Sequence, residues 1–222
     1  MKKPHFRKED VRSRILEVGI VPVIRASSAA DGRFAAEAIA RGGIPIVEIT
    51  MTVPGALEVI AQLVSELPEL LVGAGTVLDA GMARHCLDAG AQFLVSPGLD
   101  LETVKLAADA KILMMAGALT PTEVMTVWKA GADFVKIFPC AQVGGPAYIK
   151  ALKGPLPQIP LVPTGGVSLE TVAAFISAGA AALGVGGELI KKDAVEARKA
   201  DTLQNLAQSF VQAVRQARLR TA

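Results

Sequence analysis

The chain has 222 residues and a formal net charge of +2, which suits one domain and excludes a broad basic surface for nucleic acid. Apolar residues make up 51% and aromatic ones 4%, so Ala, Val, Ile and Leu must carry the burial, as in helix-on-sheet packing rather than a β-sandwich. No apolar run approaches a membrane span, and charges interrupt the N-terminal MKKPHFRKED before a signal-peptide core can form, so a soluble cytoplasmic protein with no nucleic-acid or membrane partner is expected.

In chain order, a helix over Lys8–Val18 comes first. Eight short, β-rich apolar runs follow: Ile20–Arg25, Pro45–Thr50, Leu70–Thr76, Gln92–Pro97, Ile112–Gly117, Asp133–Pro139, Ile159–Gly165 and Ala181–Gly186. Each run is followed by a helical stretch, as over Ala29–Ala40, Ala56–Leu67, Ala80–Ala89, Leu101–Ala110 and Leu169–Ala178, and a last helix covers Asp201–Arg218. Four junctions look alike: Arg41-Gly42-Gly43, Ala89-Gly90-Ala91, Ala130-Gly131-Ala132 and Ala178-Gly179-Ala180. Each places Gly where a helix must stop and turn into a strand. All four precede even-numbered runs, which predicts a two-strand βαβα unit used four times. The runs are continuously apolar, as strands buried on both faces of a parallel sheet are. The expected fold is therefore α/β: a single (β/α)8 TIM barrel over about 19–190, with an extra N-terminal helix and a C-terminal helix, forming one domain over residues 1–222. An open, doubly wound sheet is the runner-up.

In such a barrel the site lies at the C-terminal ends of the strands, and there the polar residues and glycines gather. Arg25 closes the first run, and Glu48 and Thr50 stand on the second. The third and fourth end in Gly73-Ala74-Gly75-Thr76 and Ser96-Pro97-Gly98, and the fifth in Gly117. Lys136 and Phe138-Pro139 belong to the sixth, Thr164-Gly165-Gly166 to the seventh and Gly186-Gly187 to the eighth. Lys136 stands inside the apolar Phe134-Val135-Lys136-Ile137-Phe138. Two readings are open for it: a lysine that snorkels to the mouth or pairs with an acid, and a nucleophile whose amine is kept neutral by desolvation and attacks a ketone. Glu48, between Val47 and Ile49, is correspondingly an ion-pair partner or the proton shuttle that imine formation and aldol cleavage both need. The glycines after the seventh and eighth runs are expected to open helices, where backbone N–H groups can approach a phosphate; as tight turns alone they would be just as glycine-rich.

No metal site is expected. The two histidines are His5 and His85, and His85 points a different way around its helix from the adjacent Cys86. Cys86 and Cys140 lie far apart, without CxxC spacing, as in a reducing compartment with no structural disulfide.

Taken in order on their strands, Val47-Glu48-Ile49-Thr50, Gly73-Ala74-Gly75-Thr76-Val77, Ser96-Pro97-Gly98, Lys136-Ile137-Phe138-Pro139 and Pro163-Thr164-Gly165-Gly166 resemble the 2-keto-3-deoxy-6-phosphogluconate (KDPG) aldolase family of class I aldolases. The resemblance runs from about Gly19 to Leu189. It implies a cofactor-free barrel, usually a homotrimer, that cleaves KDPG to pyruvate and glyceraldehyde 3-phosphate. In many members it also implies cleavage of 4-hydroxy-2-oxoglutarate (KHG) to pyruvate and glyoxylate. By matching position, Lys136 resembles the Schiff-base lysine and Glu48 the general acid/base. Thr76 and Pro97 are implied to face the pyruvyl carboxylate, Phe138 to pack beside the imine, and Thr164, Gly165, Gly166, Gly186 and Gly187 to hold the phosphate. Two positions depart from the pattern. Thr52 stands where several members carry a carboxylate-binding arginine, so Arg25 is expected to supply that clamp from the first strand. Glu188 stands where some members carry a phosphate-binding serine, and its charge repels phosphate unless it points outward. The sister activity on the galactonate-derived substrate, a phosphate-binding barrel isomerase or synthase with Glu48 as base, and a non-catalytic sugar-phosphate binder are the rival readings.

Overall fold

A computed structural model describes residues 6–220, so His5 lies outside the described residues. Eight parallel strands form one sheet: β1 (Ile20–Ile24), β2 (Ile46–Thr50), β3 (Leu71–Gly75), β4 (Phe93–Val95), β5 (Leu113–Ala118), β6 (Phe134–Ile137), β7 (Leu161–Pro163) and β8 (Leu183–Val185). Their order is β7-β6-β5-β4-β3-β2-β1-β8. The two outer strands then meet: Thr164 bridges to Gly184, and Ala181 N–H donates to Leu161 C=O at 2.9 Å. That contact closes the sheet into a (β/α)8 barrel and excludes the open doubly wound alternative. Every residue of the eight strands is buried, which is why the runs carry no polar alternation.

The helices are α1 (Lys8–Val18), α2 (Ala29–Arg41), α3 (Ala56–Glu66), α4 (Ala80–Asp88), α5 (Leu101–Asp109), α6 (Pro121–Lys129), α7 (Pro146–Lys153), α8 (Val172–Ser177), α9 (Lys192–Glu196) and α10 (Ala200–Leu219). Helices α6 and α7 stand where a helical stretch is expected after the fifth and sixth runs, although periodicity sets no bounds for them. Both are short, and both start on a proline after a cap or turn residue. At α6 the Thr120 hydroxyl accepts from Glu123 N–H while the Glu123 carboxylate accepts from Thr120 N–H, a reciprocal cap that the Thr120-Pro121-Thr122-Glu123 spacing announces. Helix α8 begins at Val172, not at Leu169, because the Thr171 hydroxyl accepts from Ser168 N–H and donates to Gly166 C=O, making a turn first.

The four glycine junctions behave alike. Gly43, Gly90, Gly131 and Gly179 have φ of +94°, +102°, +97° and +94°. The next residue's N–H reaches back to the helix: Ile44 to Ile39, Ala91 to Cys86, Ala132 to Val127 and Ala180 to Phe175. The two-strand periodicity is nevertheless looser than expected. The same turn precedes β5, where Ile112 N–H donates to Ala107 C=O and Lys111 takes the left-handed position at φ +57°.

Helix α1 packs at the N-terminal end of the barrel. Val11 and Ile15 are buried, the Arg12 guanidinium lies 5.7 Å from the Phe134 ring centre, and Lys8 pairs with Asp133 at 2.9 Å. Arg218 of α10 donates to the Leu16 and Glu17 carbonyls at 2.6 Å, fastening the last helix to the first. Among the described residues no helix is long and apolar enough to cross a membrane. The opposite, C-terminal end of the barrel therefore remains as its open mouth.

Candidate active site

Alternation along a strand sends every second side chain inward, so Glu48 on β2 and Lys136 on β6 point into the barrel. Parallel ladders hold both from either side. Glu48 lies opposite Val23 of β1 and Gly73 of β3, and Lys136 opposite Gly117 of β5 and Val162 of β7. Lys136 Nζ and Glu48 Oε1 are 3.8 Å apart, with only 3% and 2% of the residues exposed. Glu48 Oε1 makes no hydrogen bond among the described residues. A buried carboxylate oxygen with an ion-pair partner but no hydrogen bond is rare in folded proteins. Burial pushes the Glu48 carboxyl above the usual glutamate range, while the charges of Lys136 and Arg25 pull it back.

Two glycines clear the space. A Cβ on Gly75 of β3 would lie 1.9 Å from Glu48 Oε1, and one on Gly117 of β5 would lie 2.1 Å from the Pro97 carbonyl oxygen. Gly75 is therefore the position that lets the carboxylate turn inward. Gly117 lets the β4 turn close over the barrel, where Ser96 donates to Gly98 C=O at 2.6 Å. Neither role was evident from the glycines' place in a motif.

The remaining expected residues stand around the mouth. Phe138, one residue past β6, carries its ring 5.4 Å from Lys136 Nζ. It shares a cavity of about 250 Å³ with Pro97 and Gly117. Thr76, one residue past β3, is half-buried at φ +58°, a conformation costly for a branched residue and often kept where a side chain must be aimed. Arg25 is exposed one residue past β1. Its Nη1 lies 3.6 Å from where a Cβ on Gly186 would stand, so it leans towards the β8 turn rather than away from it. Arg25, Ser27, Gly187 and Lys192 line a second cavity of about 450 Å³ between β1 and α9. Thr164 is buried, its hydroxyl set against Gly184, and its carbonyl accepts from Cys140 N–H at 3.0 Å. Gly165 and Gly166 follow at φ +92° and +79°.

One expectation about this corner is corrected. The glycines do not open helices: the Thr171 turn separates Gly166 from α8, and α9 starts only at Lys192, past Gly187. Whatever they bind is met by turn backbone. The two departures from the family pattern also find their surroundings. The Thr52 hydroxyl is 2.7 Å from that of Thr50, which donates to Ile24 C=O. Glu188 is exposed and pairs with Lys191 at 2.8 Å, so its charge is turned outward. Cys140, beside the mouth, is buried, and burial pushes its thiol up to about 11. Among the described residues no three His, Cys, Asp or Glu side chains cluster as metal ligands.

Residues 11–206 match the family model described as KDPG and KHG aldolase. The chain belongs to that family. A 2-dehydro-3-deoxy-phosphogluconate aldolase of Pseudomonas aeruginosa is 39% identical over 161 residues, 72% of this chain and 73% of the relative. A KHG/KDPG aldolase of Escherichia coli K12 is 34% identical over 200 residues, 89% of this chain and 93% of the relative. Among solved structures, the KDPG aldolase of Legionella pneumophila, with pyruvate captured at low pH as a covalent carbinolamine intermediate, matches with a TM-score of 0.83. The two are 28% identical over 90% of this chain and 97% of that one. Within the aldolase family, then, this chain keeps an acid and a lysine paired in the barrel interior and arranges the other expected residues around one mouth.

Proposed function

We propose that the protein is a Schiff-base aldolase that cleaves KDPG to pyruvate and glyceraldehyde 3-phosphate and accepts KHG as a smaller substrate. The observation that carries this reading is the buried Lys136–Glu48 pair, 3.8 Å apart, with one carboxylate oxygen making no hydrogen bond among the described residues. In its neutral form the Lys136 amine adds to the substrate C2 ketone. Glu48 protonates the departing hydroxyl, so water leaves and an iminium forms. The Glu48 carboxylate then takes the proton of the C4 hydroxyl. The C3–C4 bond breaks, its electron pair passing into the enamine, and the aldehyde leaves. Protonation at C3 and hydrolysis of the imine release pyruvate and restore the lysine.

Around these atoms Arg25 clamps the carboxylate, with Thr76 and Pro97 beside it, and Phe138 packs over the imine. Thr164 and the turns at Gly165-Gly166 and Gly186-Gly187 hold the distal phosphate, helped by the outward turn of Glu188. Metal and cofactor have no part in this scheme. The working form is a cytoplasmic homotrimer, in keeping with the family.

Pyruvate with borohydride, followed by digestion and mass spectrometry, tests the reading. It predicts a pyruvate-dependent adduct on Lys136. Turnover of KDPG by folded protein without any adduct would instead support a barrel enzyme that uses Glu48 as base and Lys136 only as a charge. Equal turnover of KDPG and its unphosphorylated counterpart would remove the phosphate assignment.

A further inference from the structure

The cavity of about 450 Å³ beside the active site has two walls: the turn after β1, with Arg25, Ala26 and Ser27, and the segment after β8, with Ile190, Lys192, Val195 and Glu196. One residue outside the cavity ties the walls together. Arg198, just past α9, donates through Nη1 to the Ala30 carbonyl at 3.1 Å, and its Nη2 pairs with Asp31 Oδ1 at 2.9 Å. Its guanidinium also lies 4.9 Å from the Phe34 ring centre. The other oxygen of Asp31 accepts from the Ser27 and Ser28 hydroxyls at 3.0 and 2.8 Å. Ser28 in turn caps α2 by accepting from Asp31 N–H. A continuous set of charged and hydroxyl contacts thus runs from Arg198 to Ser27, two residues after Arg25.

Arg198 holds this place at φ +52°, in the left-handed region where glycine is the easier residue. The guanidinium contacts to Ala30, Asp31 and Phe34 offset that backbone strain. Among the described residues no hydrogen bond or ion pair fixes the exposed Arg25 side chain, so the turn backbone sets where it departs and leans towards Gly186.

We infer that Arg198, through Asp31 and the Ser27-Ser28 turn, is a positioning residue that aims Arg25 at the substrate carboxylate. The inference rests on the proposed carboxylate role of Arg25. A clamp engaged equally in ground and transition states affects KM rather than kcat, and loosening it does the same.

The test is a double-mutant cycle with KDPG as substrate, recording kcat, KM and melting temperature for Arg198→Gly, Arg25→Ala and the double variant. Arg198→Gly relieves the left-handed strain while removing the guanidinium. It should raise KM about tenfold and leave kcat within about twofold, as loss of uniform binding does. In the Arg25→Ala background it should add nothing to KM. Arg198→Lys and Asp31→Asn carry the same cycle should the glycine variant fold poorly, with the lysine restoring part of the loss. KM effects of Arg198→Gly and Arg25→Ala that simply multiply, or a lowered melting temperature with KM unchanged, would make Arg198 a structural brace and overturn the inference. If Arg25→Ala raises KM and Arg198→Gly does not, the inference alone falls. If Arg25→Ala leaves KM untouched, the carboxylate assignment falls with it.

Discussion

The middle of the barrel and its rim are built in different ways. Lys136 and Glu48 sit within strands, each held by a ladder on both sides. Arg25, Thr76, Pro97, Phe138, Gly165 and Gly186 all stand one or two residues past the ends of their strands, on turns. A strand position fixes an inward side chain with little freedom, which is what a covalent step demands. A turn position can change its residue without disturbing the ladder. Substitutions in the middle should therefore cost rate, and those at the rim affinity.

The largest effect short of removing Lys136 belongs to Glu48→Gln. It keeps the shape and removes the proton carrier, so kcat should fall about 10²- to 10⁴-fold in a protein whose circular dichroism spectrum is unchanged. The wild-type pH profile sharpens the point. Glu48 serves as a base only when deprotonated, and burial raises its pKa, so activity should fall with decreasing pH at values above the usual glutamate range. Arg25 pulls that pKa down, so Arg25→Ala should move the acidic limb of kcat/KM to still higher pH. A limb that stays in the ordinary carboxylate range and ignores Arg25 would remove Glu48 from the proton transfers.

Gly75→Ala tests the same middle region through its packing. The added Cβ would come within 1.9 Å of Glu48 Oε1 and 2.5 Å of its Cδ, so the carboxylate must swing away from Lys136. A displacement of about 1 Å can cost about 10²-fold in rate, and overpacking adds about 1–3 kcal/mol of destabilisation. Gly73→Ala on the same strand meets the Phe93 ring at 2.3 Å instead. It should lower the melting temperature comparably with a much smaller loss of kcat. Equal losses of kcat in the two variants would show that Gly75 has no particular bearing on Glu48.

The chemistry was more legible in the sequence than its setting. A lysine and a glutamate inside apolar runs stand out because a barrel strand gives them nowhere to hide, and Gly after a helical period marks a turn by backbone sterics alone. The roles of Gly75 and Gly117 were not legible, because each depends on the register between neighbouring strands, a long-range property. The start of α8 at Val172 was set by the Thr171 hydroxyl, which competes locally with the helix. Helix α6 is expected after the fifth run but periodicity sets no bounds for it; the period of so short a helix is weak, and the Thr120–Glu123 cap is the better signal. The pairing of Glu188 with Lys191 needed the turn geometry after β8.

The smallest expected effect concerns the far end of the barrel, where no part of the chemistry resides. Lys111 fills at φ +57° the turn position that Gly43, Gly90, Gly131 and Gly179 fill elsewhere, and it lies before β5, away from the mouth. A side chain in the left-handed region costs about 1 kcal/mol or more, and glycine's freedom in the unfolded chain returns part of what relief gains. Lys111→Gly should therefore stabilise the fold by about 0.5 kcal/mol, or about 1–2 °C in melting temperature, with kcat and KM unchanged. Gly131→Ala is the mirror experiment: nothing lies within 4 Å of the added Cβ, so only the backbone objects, at φ +97°. It should destabilise by about 1 kcal/mol without touching activity. If both variants proved neutral, the repeated turn would owe its form to packing of the following strand rather than to the residue at its left-handed position.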